Sequence, residues 1–139
     1  MTTTKDHFDE LSFYTLSHPD IEYFIHQLIV DAHTAQTVNE NTKKISIVFS
    51  LVGLYLLIEK NYTGRQIQQA HTLLSNHKEH LPDIKFPIKR GEITIVDVLA
   101  NESNRDEMIK KWCESVWYSY ESSRIQIKQY CDKFLFKSK

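Results

Sequence analysis

Three ionisable residues fall where helical patterns turn side chains inward: Asp31, Glu59 and His71. Ile67, Ala70, His71 and Leu74 follow the i, i+3, i+4, i+7 pattern of a buried helix face, so His71 is expected to look into the core. Asp31 lies about 80° from the centre of its helix's apolar stripe, at the rim of the core-facing side, where a carboxylate needs a partner. Glu59 closes an apolar run, and Arg65 follows it across a turn. Two carboxylates and a histidine from three helices suit a divalent metal, and they serve equally as acid and base toward a bound ligand. The competing reading of His71 is a core histidine bonded to a carbonyl or carboxylate. No Glu-x-x-His signature of carboxylate-bridged di-metal bundles is present.

The other candidates point to packing. His26 and His33 stand seven residues apart, about 10 Å along a helix axis, so they cannot share one metal. Both point about 120° to 140° from the apolar stripe, toward solvent or a second interface. His7, His77 and His80 lie in polar or terminal surroundings, and His18 adjoins Pro19 as a cap, turn residue or ligand. Cys113 and Cys131 are eighteen residues apart. Within one helix that is about 27 Å, too far for a disulfide. Trp112, Trp117, Tyr118 and Tyr120 share helical spacing with Val116 and read as core. No glycine-rich phosphate loop, Gly-x-Ser-x-Gly elbow or Cys-x-x-Cys occurs, and the catalytic residues are unassigned.

The elements that position these residues are helical. Only three glycines and three prolines occur in 139 residues, and no stretch alternates long enough for a half-buried strand. The expected fold is all-α, a compact single-domain bundle of about five helices over residues 1–139, with 1–5 frayed. A short helix spans Asp6 to Ser17, and Pro19 opens a second that runs to about Thr37 with Ile21, Ile25, Leu28, Ala32 and Ala35 on its core face. Thr42 caps a nearly all-apolar central helix that runs to about Lys60. Thr63-Gly64-Arg65-Gln66 has the form of a capping box for a fourth helix, to about Lys78. Residues 81–92 form a long connection, and one or two helical turns follow Thr94. A final helix from about Asn104 to Phe136 carries a heptad seam: Ile109, Cys113, Val116, Tyr120, Ser123, Ile127, Tyr130 and Phe134. At about 50 Å it projects beyond its partners or bends near Ser122 and Ser123. The seam is either the spine of the bundle or a homodimer interface.

Charge narrows the partners. A formal net charge of -1 leaves no broad footprint for nucleic acid, only a local patch at Lys85, Lys89 and Arg90. Ile45 to Ile58 rises about 21 Å, short of a bilayer core of about 30 Å, so no membrane partner is expected. Without an apolar export signal or a disulfide framework, the chain reads as cytoplasmic.

Several segments together carry a likeness: His26-Gln-Leu-Ile-Val-Asp31-Ala-His-Thr-Ala-Gln36, Gly53 through Glu59 to Gln66, Gly91-Glu-Ile-Thr94-Ile-Val-Asp97, and Trp112 with Val116-Trp117. Nearly the whole chain resembles an uncharacterised family of small bacterial proteins, a domain of unknown function. The resemblance implies interest in His26, Asp31, Gln36, Glu59, the 63–66 turn and His71, and brings no activity with it. His26, Asp31 and Gln36 point in separate directions around a helix, so they cannot all line one pocket. The expectation is a small polar pocket near Asp31, Glu59, Arg65 and His71 for a small molecule or divalent metal. The alternative is an interaction or dimerisation module using the final helix.

Overall fold

The computed structural model describes residues 3–17 and 23–136, and those residues contain helices and no strand. Seven α-helices follow one another: α1 (Thr4–Ser17), α2 (Ile25–Thr37), α3 (Lys44–Lys60), α4 (Gly64–Leu74), α5 (Ile95–Ala100), α6 (Arg105–Ser119) and α7 (Arg124–Phe134). A 3₁₀ segment, Ser75–His80, extends α4. The count exceeds the expected five because the turns after Thr94 form α5 and the final helix is two.

α3 is the axis of the core. Ile47, Val48 and every residue from Ser50 to Leu57 are buried, so this helix has no solvent face along its middle. α2, α4, α6 and α7 pack on it. α2 starts later than Pro19 would place it: Phe24 has φ 49°, in the left-handed region that ends helical continuity, and Ile25 opens the helix. The expectations for His18, Pro19 and Ile21 lie outside the described residues. At α4 the capping box forms as its residue types dictate. Gln66 N–H donates to the Thr63 hydroxyl at 3.2 Å, and Thr63 N–H donates to Gln66 Oε1 at 2.8 Å.

The long final helix is corrected to a helix pair. Tyr120 leaves helical geometry with ψ 44°, and Ser123 caps the next segment. Both residues are committed elsewhere in the fold: the Tyr120 hydroxyl donates to the Ala35 carbonyl, and Ser123 Oγ accepts from Lys85 N–H at 3.1 Å. A bend there lets α7 return along α3. The polar break in the heptad seam is therefore where the 81–92 connection docks. Ile109, Cys113, Val116, Tyr120, Ser123, Ile127 and Tyr130 are buried within the chain, and Phe134 is half-buried, so most of the seam packs inside the bundle. Cys113 and Cys131 stand on different helices, α6 and α7, and both are free and buried.

The connection is held from both sides. Gln36 Nε2 donates to the Arg90 and Ile93 carbonyls at 3.0 and 2.8 Å, and its Oε1 accepts from Trp112 Nε1 at 2.8 Å. Arg90 answers by donating to the Pro87, Gln36 and Val38 carbonyls. Opposite, Ser115 Oγ accepts from Glu92 and Ile93 N–H groups. Gly91, at φ 101°, lies so close to Ser115 that a Cβ would clash. Arg90 is thus a structural cation, and Lys89 pairs with Glu92 at 2.7 Å.

Candidate functional site

Asp31 is the most unusual residue of the core. It is 2 % exposed, and Oδ1 accepts one hydrogen bond, from Gln27 Nε2 at 3.0 Å, a residue one turn earlier on α2. Oδ2 has no hydrogen-bond partner among the described residues. It presses on Gly53 of α3 instead, at the place a Cβ would occupy, with Ile67 of α4 beside it. Only glycine lets the carboxyl enter there. Burial pushes the Asp31 carboxyl well above the usual carboxylate range, and the Gln27 bond offsets that only in part. The adjacent Cys113 thiol is raised too, first by its own burial and then by Asp31. Its Sγ leans on the Leu28 carbonyl at 3.5 Å. This thiol is packed and protonated, in keeping with a core position.

The expected cluster separates into distinct environments. His71 stacks on Phe49, with ring centroids 5.1 Å apart, and its Nε2 lies 2.8 Å from the Phe49 carbonyl. That bond fixes the proton on Nε2 and leaves Nδ1 as the acceptor. Burial lowers the His71 pKa and the carbonyl bond opposes it, so the neutral ring is favoured. Glu59, exposed at the end of α3, accepts from Trp117 Nε1 at 2.8 Å through Oε2. Asp31, Glu59 and His71 therefore have three different partners. No group of three or more His, Cys, Asp or Glu side chains that could hold a metal ion is present among the described residues.

Arg65 and His71 do come together, on the wall of an open recess of about 450 Å³ beside α4, lined also by Gln27, Gln68, Gln69 and Thr72. Arg65, Gln68, Gln69 and Thr72 repeat at i, i+3, i+4 and i+7, one polar stripe of the helix. Arg65 makes no ion pair or hydrogen bond among the described residues. Asp31 reaches this recess only through Gln27. Sequence reasoning missed Gln27, because a single glutamine on an amphipathic helix is ordinary. The glycine in the middle of an apolar helix was the available signal, since Gly53 marks a close approach.

Four further histidines join helices. His26 Nδ1 lies 2.9 Å from the Thr15 hydroxyl, and His33 stacks on Phe8 at 4.3 Å, so the pair fastens α1 to α2. His77 and His80 stack on Phe134 at 4.4 and 5.2 Å.

Residues 4–121 match the family of unknown function DUF5946. The chain belongs to that family. The match takes in Asp31, Gly53, Arg65 and His71 and ends before α7. Comparison of this DUF5946 chain with curated proteins and with solved structures gives no match. No helix among its described residues is long and apolar enough to cross a membrane.

Proposed function

We propose that the recess between α2 and α4 binds a small, polar, anionic molecule, and that the protein acts by binding it. The observation that carries this reading is the Asp31–Gln27 pair. A buried carboxyl costs the fold stability, and this one uses its single hydrogen bond on a side chain of the recess wall. Arg65 supplies the positive charge, and Gln68, Gln69 and Thr72 supply neutral hydrogen-bonding groups around it. With Glu59 occupied by Trp117, the reading needs no metal.

Two free, buried cysteines suit a reducing compartment, and we place the protein in a bacterial cytoplasm. The experiment is a thermal-shift screen of inorganic phosphate, citrate, simple carboxylates and nucleoside monophosphates. Binding to the folded state raises Tm by mass action. At least one anion raises Tm in the unmodified chain, and Arg65→Gln removes the rise. No responsive anion, or a rise that Arg65→Gln leaves intact, contradicts the reading.

A further inference from the structure

Two imidazoles in one register fasten α1 to α2. His26 Nδ1 meets the Thr15 hydroxyl at 2.9 Å, and His33 stacks on Phe8 with ring centroids 4.3 Å apart. On both helices the two contacts are one heptad apart, about 10 Å along the axis, so a single antiparallel packing makes both. Leu11, fully buried, lies between Phe8 and Thr15 on α1.

Neither contact offers a negative charge. The Thr15 hydroxyl donates to the Ser12 carbonyl at 3.1 Å, so toward His26 it accepts, and His26 carries its hydrogen on Nδ1. A second proton would bring a charge into a half-buried seam. Phe8 offers His33 only its ring face, a weaker partner for a cation than a carboxylate. The charged groups of the surrounding elements are engaged elsewhere. On α1, Lys5 pairs with Asp9 and Asp6 accepts from Thr3 N–H. Asp31 of α2 is bonded by Gln27, Asp97 of α5 by Thr94, and Asp106 of α6 by Tyr14, while Arg105 donates to the Leu99 carbonyl. His7 and Glu10 complete the titratable groups of α1, and neither His26 nor His33 forms an ion pair among the described residues. Burial accordingly lowers the pKa of both rings, with no charged group opposing it.

We propose that α1 is a proton-released latch: when His26 and His33 take up charge, the helix leaves α2 while the α2–α3 core stays folded. In the docked state both rings are neutral, and in the open state both titrate near the ordinary value of about 6.5. Docking is therefore favoured in full above that value and weakens as pH falls through the lower docked-state values. Little else holds the helix. Leu11 and Thr15 are the buried residues of α1, whereas α3 is buried along its whole middle. A clasp to α6 comes from the Tyr14 hydroxyl, which donates to Asp106 at 2.7 Å. Burial and that bond raise Tyr14 above its ordinary value, so the tyrosine keeps its proton at and below neutral pH. The latch does not depend on a ligand in the α4 recess.

The test is hydrogen exchange of the full chain from about pH 7.5 to about pH 5.5, read by mass spectrometry as protection relative to intrinsic rates. Protection of α1 falls about ten-fold or more over that range, as proton uptake on opening requires, while that of α3 stays within about two-fold. His26→Asn with His33→Phe keeps a polar group near Thr15 and a ring against Phe8, and titrates at neither position. In this double variant α1 protection is flat with pH. His33→Phe alone, a milder change that keeps the stacked ring, leaves about half of the fall on a logarithmic scale, because one of the two protons remains. Constant α1 protection in the unmodified chain overturns the inference, as does an equal loss in α1 and α3. A fall that His33→Phe leaves undiminished, or that persists in the double variant, overturns it too.

Discussion

Asp31 Oδ2 occupies the space in which a side chain at Gly53 would begin, so the glycine of α3 and the buried acid of α2 exist at each other's expense. Replacing Gly53 by alanine improves intrinsic helix propensity by about 1 kcal/mol. It also drives a methyl group into a carboxyl with nowhere to go, an overpacking cost of about 1–3 kcal/mol. The second effect wins, and Gly53→Ala is expected to destabilise the chain in urea denaturation. In an Asp31→Ala background the clash is gone and the same substitution is neutral or stabilising. This double-mutant cycle measures the coupling directly, and equal effects in the two backgrounds contradict the contact.

The same carboxyl gives stability a pH dependence of known sign. Its folded pKa is raised well above the unfolded value by burial, so the folded state holds the proton more tightly. The contribution is fully present below the unfolded carboxyl pKa, about 3.9, and is lost as pH rises through the folded value. His26, His33 and His71 act in the opposite sense. Burial lowers each of them, so their contribution is present above about pH 6.5 and lost as pH falls through the folded values. Subtracting the pH–stability curve of Asp31→Asn from that of the unmodified chain cancels the histidines. The difference falls with rising pH, and a flat or rising difference contradicts a buried acid at this position.

Glu59 is expected to matter for folding through Trp117. The indole is buried, so removing its acceptor with Glu59→Ala costs about 1–3 kcal/mol, and Glu59→Gln, which keeps an oxygen in reach, costs less. Chemical denaturation with tryptophan fluorescence reads both. Equal losses for the two variants contradict the Trp117–Glu59 bond.

Gln36 ties the end of the 81–92 connection to α6 with three side-chain bonds, two to the Arg90 and Ile93 carbonyls and one from Trp112 Nε1. Gln36→Ala leaves the buried Trp112 N–H unpaired, at about 1–3 kcal/mol. Gln36→Glu keeps that bond and turns a carboxylate oxygen toward the Arg90 and Ile93 carbonyls, so the isosteric change is no rescue. Amide exchange is expected to accelerate at residues 90–94 in both variants. Unchanged protection there contradicts the anchor.

How far the residues announced this arrangement depends on the range of each interaction. Local signals were legible: the Thr63–Gln66 capping box and the apolar α3 both act within one or two turns. The break at Tyr120–Ser123 was not, because heptad spacing continues across it, and what bends the chain are bonds to Ala35 and Lys85, far away in sequence. The separation of Glu59 from Asp31 and His71 is invisible for the same reason: its partner, Trp117, sits on α6, and no periodicity links the two. Asp31 stood out because a carboxylate at the rim of an apolar stripe is rare. Gln27, the residue that connects it to a surface, carried no such mark.

The recess beside α4 is proposed as the place where this protein meets a ligand. The most direct measurement is a nitrogen-15 NMR titration of the labelled chain with the best anion from the thermal-shift screen. Saturable shifts are expected centred on Gln27, Arg65, Gln68, His71 and Thr72, with a secondary response at Asp31 and Gly53. Shifts centred elsewhere, or none at saturating anion, contradict it.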